Sequence, residues 1–118
     1  MAKFILILRE DPATFASLSP DEMQAIITGY QAWSDKLARA GLLSGGEKLG
    51  EEGGRRLTSR DGTLVVSDGP YAEAKEVIGG FFIIEAADYP AAETIAAECP
   101  HLRHGVVELR RIDDMSGG

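Results

Sequence analysis

Apolar residues in this chain form short runs of strand length, separated by stretches of helical periodicity. Residues 4–8 are all apolar, and so are most residues from Gly80 to Ala86. Continuous apolarity over so few residues predicts strands that are covered on both faces. Residues 105–110 predict a last strand, and residues 42–49 predict a weaker one that Gly45-Gly46 interrupts.

One long helix has a well-marked beginning and end. Ser19 as N-cap, Pro20 in the first turn and Glu22 three residues after the cap form a capping box. Gly41 suits the position after the helix, where a positive φ is needed. These signals predict a helix from Pro20 to Ala40. Its buried stripe follows from apolar residues spaced by three or four: Met23, Ile26, Ile27, Tyr30, Trp33, Leu37 and Ala40.

A hairpin and a second helix complete the set of elements. Residues 56–60 and 63–67 flank Asp61-Gly62, and a two-residue Asp-Gly link between strand-like runs is a strong hairpin signal. Asp88-Tyr89-Pro90 predicts a helix start, and Pro100 predicts its end.

The order of these elements predicts an α+β, ferredoxin-like βαββαβ fold with an extra hairpin. We expect a single domain over residues 1–112 and a flexible tail over residues 113–118. Two helices cover only one face of the sheet, although the strands at residues 4–8 and 81–84 are apolar on both faces. A second copy of the chain, sheet against sheet, would cover the other face, so we expect a homodimer.

Composition narrows the function classes. The net charge of −7 disfavours nucleic acid as the main partner, since phosphate neutralisation needs an excess of lysine and arginine. No segment reaches membrane-spanning length, and the short N-terminal apolar run lacks the features of a signal peptide. Cys99 is the single cysteine, which excludes an internal disulfide. The expected location is the cytoplasm.

A charged turn from Asp68 to Gly80 carries the most distinctive motif. Its sequence Asp-Gly-Pro-Tyr-Ala-Glu-Ala-Lys-Glu, followed by Gly79-Gly80, resembles the signature of DGPF (DGPFAETKE) proteins within the YCII-related family. The likeness extends over nearly the whole chain, including the Ser-Pro-Asp-Glu-Met helix start. Tyr71 stands where the family usually has Phe, and Ala74 where it usually has Thr.

This resemblance implies a dimeric α+β barrel. It also implies a possible enzyme, because a histidine on the first helix and an aspartate lie near a pocket in YCII proteins. Tyr30 occupies the position that matches the histidine, so the His-Asp pair does not carry over to this chain. DGPF-type relatives are often encoded beside extracytoplasmic-function sigma factors, which implies a regulatory link.

Asp68 is the leading candidate for catalysis and is also a candidate for ligand binding. It follows a strand and precedes Gly-Pro, so it is either a general acid or base in a pocket or an Asx-turn cap. Glu73, Lys75 and Glu76 form either a ligand-contacting loop or a solvated turn. Glu76, nearest the buried strand, is the strongest binding candidate among these three.

Tyr30 and Glu47 are further candidates for ligand binding. Tyr30 either presents its hydroxyl to a cavity or belongs to the core, and Glu47 would pair with Asp68 if both faced that cavity. Cys99, His101 and His104 match no standard zinc spacing, which favours a buried cysteine with loop histidines over a metal site. The glycine pairs match no phosphate or dinucleotide motif. We therefore expect no metal and no cofactor.

Three functions remain open from the sequence. The first is a small-ligand-binding or regulatory homodimer. The second is a small cofactor-free enzyme that uses Asp68 as general acid or base. The third is a purely structural dimer with no ligand.

Overall fold

A computed structural model describes residues 1–69 and 76–115. Six strands, three α-helices and one 3₁₀ helix occur in the described part. Their bounds are β1 Ala2–Glu10, α1 Pro12–Ala16, α2 Pro20–Arg39, β2 Leu43–Lys48, β3 Arg55–Arg60, β4 Thr63–Asp68, β5 Val77–Ala86, α3 Tyr89–Ala96, the 3₁₀ helix Pro100–Arg103 and β6 Val106–Arg111.

Four strands form one antiparallel sheet in the order β2-β5-β1-β6. The N-terminal strand β1 is central, and it pairs with both β5 and β6. Omitting the hairpin β3–β4, the topology is that of a ferredoxin-like βαββαβ unit. The predicted fold class is therefore confirmed.

The core lies between this sheet and the helices α2 and α3. Side chains alternate along a strand, so every second residue of β1 faces the helices, and these residues are fully or nearly fully buried: Phe4, Leu6 and Leu8. From α2, Trp33 and Leu37 complete this core, and the Trp33 ring meets Phe82 edge-on at 5.1 Å. No helix in the described part is long and apolar enough to cross a membrane.

Helix α2 begins and ends as its sequence predicts. The Ser19 hydroxyl accepts from the backbone N–H of Glu22, and the Glu22 carboxylate accepts from the N–H of Ser19. At the other end Gly41 has φ of 74°, and the N–H of Leu42 donates to the carbonyl of Leu37. The capping box and the glycine-based C-cap are both confirmed.

The hairpin β3–β4 is a separate two-stranded sheet. Its turn residues Asp61 and Gly62 have φ of 51° and 80°, as a type I′ turn requires. Every residue of both strands is exposed. The hairpin prediction is confirmed, and it extends away from the main core.

One helix was missed and two sequence-based boundaries were wrong by three or more residues. The short helix α1 was not predicted; Asp11 caps it through a hydrogen bond from the N–H of Ala13. Helix α3 ends at Ala96, before Pro100, which instead begins the 3₁₀ helix. Strand β5 begins at Val77 instead of Gly80, because its pairing with β1 runs on to Glu10 past a register shift.

The sheet face that points away from the helices is here called the open face. The register places four large apolar side chains at its centre, two from β1 and two from β5. No helix of residues 1–69 and 76–115 covers this face, and these side chains are half-buried: Ile5, Ile7, Phe81 and Ile83. The predicted two-sided apolarity of the strands is therefore present in the fold, whereas the second copy that would cover the face stays a prediction.

Candidate functional site

Three polar side chains from separate elements are grouped at the C-terminal end of β1. Glu10 is the last residue of β1, Tyr30 lies in the middle of α2, and His101 lies in the 3₁₀ helix. We call this group the polar cluster. His101 is only 1% exposed, while Glu10 and Tyr30 are half-buried.

Hydrogen bonds fix the orientation of the His101 ring. Its Nε2 lies 2.8 Å from the carbonyl oxygen of Arg9, which can only accept, so Nε2 carries a hydrogen. The Tyr30 hydroxyl lies 2.9 Å from Nδ1. In a neutral ring Nδ1 is then the acceptor, and the tyrosine donates to it. The buried imidazole is thereby satisfied at both nitrogens.

Two glycines allow the backbone and side chains of the cluster to approach closely. A Cβ at Gly105 would overlap the carbonyl oxygen of Arg9 and lie 2.9 Å from His101 Nε2. A Cβ at Gly79 would overlap the carboxylate of Glu10. At Gly105 only glycine leaves room for the backbone, whereas at Gly79 the flexible end of the Glu10 side chain can move aside, so the local packing of the cluster depends mainly on Gly105.

Burial changes the acidity of the cluster. Desolvation raises the pKa of Glu10 above its usual value of 4.5, although the charges of His101 and Lys48 act in the opposite direction. Desolvation also raises the pKa of Tyr30 to about 12, helped by Cys99 and Glu10. Compared with the unfolded chain, the folded protein therefore favours the neutral forms of Glu10 and Tyr30.

Neighbouring groups on the 3₁₀ helix are also perturbed. Burial raises the pKa of the Cys99 thiol, which makes it a poor nucleophile. Burial lowers the pKa of His104, and the charges of His101 and Arg103 add to this effect. Cys99 is buried, as predicted. The prediction of loop histidines was wrong for His101, because its ring is enclosed in the core and hydrogen-bonded.

A shallow groove of about 220 Å³ lies between α2 and the 3₁₀ helix. The residues that line it are close in sequence to Tyr30 on α2 and to His101 on the 3₁₀ helix. They are Ala25, Ile26, Gly29, Pro100, Arg103 and His104. The volume is below the usual range for drug-sized ligands, so the groove suits a small molecule.

Of the predicted site residues, Tyr30 is the one that the structure places in the polar cluster. Asp68 ends β4, and its side chain is 90% exposed and lies 3.1 Å from Arg55. Glu47 is on the edge strand β2 opposite Phe81, on the open face. Glu76 is exposed just before β5. No hydrogen bond or ion pair among the described residues joins these three carboxylates to Tyr30 or to one another. Their proposed roles stay predictions.

Glu73 and Lys75, with the rest of the motif at residues 70–75, lie outside the described residues. Sequence reasoning missed Glu10 and His101 as partners of Tyr30. Glu10 lies two residues after the apolar run of β1, which was a usable signal, since a charge at the end of a buried strand lies at the edge of the core. His101 was weighed as a metal ligand or a loop histidine, and not as a buried hydrogen-bond partner. Within the described residues, no three His, Cys, Asp or Glu side chains are grouped for metal binding.

The model of the YCII-related domain matches residues 2–116 of this chain. The chain belongs to the YCII-related family. Membership in the DGPF-type group of this family stays a prediction. Among curated proteins, none is significantly similar in sequence to this YCII-related chain.

One similar solved structure is 5-chloro-2-hydroxyhydroquinone dehydrochlorinase (TftG) from Burkholderia phenoliruptrix AC1100, in complex with 2,5-dihydroxybenzoquinone. The two chains are 17% identical, with a TM-score of 0.48, and the match covers 96% of this chain and 94% of that one. At this level of identity the reaction of that enzyme says nothing about the chemistry of this YCII-related protein.

Proposed function

We propose that this YCII-related protein is a homodimer that binds a small ligand at the polar cluster. The observation that carries the proposal is the hydrogen bond from Tyr30 to Nδ1 of buried His101, beside Glu10. Polar groups that converge at the edge of a core are typical of small-ligand sites.

The hydrogen-bonding state of the cluster defines the kind of ligand. The hydrogen of the Tyr30 hydroxyl is engaged by His101, so the phenolic oxygen has only acceptor capacity left for a ligand. Glu10 is also an acceptor when it is ionised. The site therefore favours a small molecule with hydroxyl or amine donors.

The homodimer is supported by the open face. Four large apolar side chains at its centre are only half-buried in a single chain, and a contiguous apolar patch of this kind marks an interaction site. A second copy would bury them at the centre of an isologous interface.

A binding experiment tests the ligand site. Thermal shift is measured with small phenols and amines and with their methylated counterparts, which keep the shape but lack the donor. We expect stabilisation by the donor-bearing compounds only. The gain should be lost in Tyr30→Phe and retained in Tyr89→Phe, whose hydroxyl is hydrogen-bonded to the backbone of Arg111. Equal responses of these two variants would disprove the site.

The second candidate function is a cofactor-free enzyme. The specific observation in its favour is the raised pKa of Glu10, because a carboxyl group that titrates closer to neutral pH is better suited to general acid–base catalysis. The earlier expectation gave this role to Asp68. Incubating the bound compounds with Glu10→Gln and Asp68→Asn, with turnover followed by NMR, identifies which carboxylate is required.

A regulatory role would require a further property. The resemblance to DGPF-type proteins implies a sigma-factor partner, so a bound ligand should alter that association. Copurification of the sigma factor with and without a compound that binds at Tyr30 tests this role.

A further inference from the structure

The groove between α2 and the 3₁₀ helix contains a glycine that the fold of the described chain does not require. Gly29 lies inside α2 and has no positive φ. A Cβ at this position would meet no neighbouring atom within 4 Å. Glycine inside a helix is less favourable than alanine, so Gly29 lowers the stability of α2 and leaves free space in the groove.

The two sides of the groove are held at a fixed separation. Tyr30 follows Gly29 on α2, and its hydroxyl is hydrogen-bonded at 2.9 Å to His101, which follows Pro100 on the 3₁₀ helix. The His101 ring is itself fixed to the carbonyl of Arg9. A groove whose walls are joined in this way is formed before a ligand arrives, which reduces the ordering cost of binding.

The groove has a cation and no carboxylate in its lining, although the chain as a whole has a net charge of −7. The cation is Arg103, which is exposed and forms no ion pair within residues 1–69 and 76–115. The nearest acidic residue on this face of α2 is Glu22, one turn before Ile26, and its carboxylate is engaged by the capping box. The groove is therefore electrostatically suited to an anion.

The rest of the lining is mostly apolar. Ile26 and Pro100 present hydrocarbon from the two sides. His104 presents an aromatic ring that contacts Phe15 at a centroid distance of 5.7 Å. Burial, with the charges of His101 and Arg103, lowers the pKa of His104, so this ring is neutral at pH 7. The lining therefore suits a ligand that has one anionic end and an apolar body.

We propose that this groove binds a small organic carboxylate, whose anionic end pairs with the guanidinium of Arg103 and whose apolar body occupies the free space beside Gly29. A guanidinium donates two parallel hydrogen bonds that match the geometry of a carboxylate. The volume of about 220 Å³ limits the body to about one ring. This site is separate from the one proposed at the polar cluster, because none of the residues that line the groove belongs to that cluster.

Benzoate is the probe that tests this site. It has an anionic end and a single ring, but it has no hydrogen-bond donor, so the donor-selective site at the polar cluster should not retain it. Titration followed by NMR chemical shifts should give a dissociation constant of about 1 mM for a ligand of this size. Benzamide, which has nearly the same shape and no charge, should bind at least about tenfold more weakly, because the charge-assisted hydrogen bonds are lost.

Substitution of the arginine tests the charge recognition. Arg103→Gln keeps a polar side chain and removes the cation, so benzoate should bind at least about tenfold more weakly. Arg60→Gln is the matched control, because Arg60 is an exposed arginine on the hairpin β3–β4. This control should bind benzoate as wild type does.

Filling the free space tests the position of the ring. Gly29→Leu should fold at least as well as wild type, since leucine is a better helix former than glycine, but its side chain would occupy the groove and weaken benzoate binding at least about tenfold. Ala38→Leu is the matched control. Ala38 is exposed and lies about two and a half turns further along α2, on the opposite face, so this variant should bind benzoate normally.

Three results would overturn the proposal. The first is the absence of any shift in wild type at about 20 mM benzoate, roughly twentyfold above the expected dissociation constant. The second is equal binding of benzoate and benzamide, since the charge would then play no part. The third is unchanged benzoate binding in folded Arg103→Gln or Gly29→Leu, because the ligand would then lie elsewhere. None of these results depends on the response of Tyr30→Phe to phenols and amines, so the two sites are tested separately.

Discussion

Replacing Gly105 by alanine should strongly destabilise the fold. The added Cβ would overlap the carbonyl oxygen of Arg9 and press on His101 Nε2, so the hydrogen bond of 2.8 Å between them would be broken. Overpacking costs about 1–3 kcal/mol, and a buried donor left without an acceptor costs about 1–3 kcal/mol more. The free energy of unfolding should therefore fall by about 2–6 kcal/mol, a large share of the about 5–15 kcal/mol typical of a domain.

Guanidinium unfolding, followed by the fluorescence of the single tryptophan, Trp33, measures this loss. All variants are compared at one protein concentration, because the proposed homodimer would make the stability dependent on concentration. Gly29→Ala is the matched control. Gly29 lies inside α2, and a Cβ there would have no neighbour within 4 Å. Alanine should therefore stabilise the helix by about 0.5–1 kcal/mol.

The same substitution to alanine should therefore lower the free energy of unfolding at Gly105 and raise it at Gly29. If Gly105→Ala were as stable as wild type, the close approach of Arg9 and His101 would not constrain the fold, and our account of the polar cluster would be wrong.

Three further predictions concern titration and reactivity. Burial raises the pKa of Glu10 in the folded protein. The stability that protonated Glu10 contributes is therefore present at acid pH and is lost as the pH rises above 4.5. Glu10→Gln should accordingly gain stability relative to wild type between about pH 4 and 7. The hydrogen bond from the N–H of Ser19 lowers the pKa of Glu22, so Glu22→Gln should lose stability relative to wild type over the same rise in pH. Unfolding curves at about pH 4 and pH 7 measure both trends. Alkaline absorbance titration should show a late tyrosine ionisation at about pH 12 in wild type, and this step should be missing in Tyr30→Phe. The Cys99 thiol should react with Ellman's reagent only after denaturation, and fast labelling of the native protein would contradict its burial.

Most of the fold follows from local sequence signals. The capping box at Ser19, the glycine after α2 and the Asp-Gly turn each act through a few neighbouring residues, and all three were predicted correctly. Helix α1 was missed because its five residues have no apolar periodicity to mark them. The early end of α3 was missed because Pro100 was interpreted as a terminator of α3, although proline also fits the first turn of a new helix.

The polar cluster could be predicted only in part. Tyr30 was a candidate because it lies on the apolar stripe of α2, from which its hydroxyl could face a cavity. Its partner His101 lies 71 positions later, and no local pattern links the two. Such a contact is produced by the packing of the 3₁₀ helix on α2, which propensities and spacing do not describe.

The central place of β1 in the sheet also has a consequence for synthesis in the cell. The first strand to be made has both of its partners near the other end of the chain, since it pairs with β5 and β6. About 70 residues separate it from β5, which at about 5–20 residues per second takes roughly 3–14 s to translate. During that interval the apolar segment of β1 has no partner strand. The nascent chain should therefore depend on chaperones at its N-terminus, and the sheet should close only when translation is nearly finished.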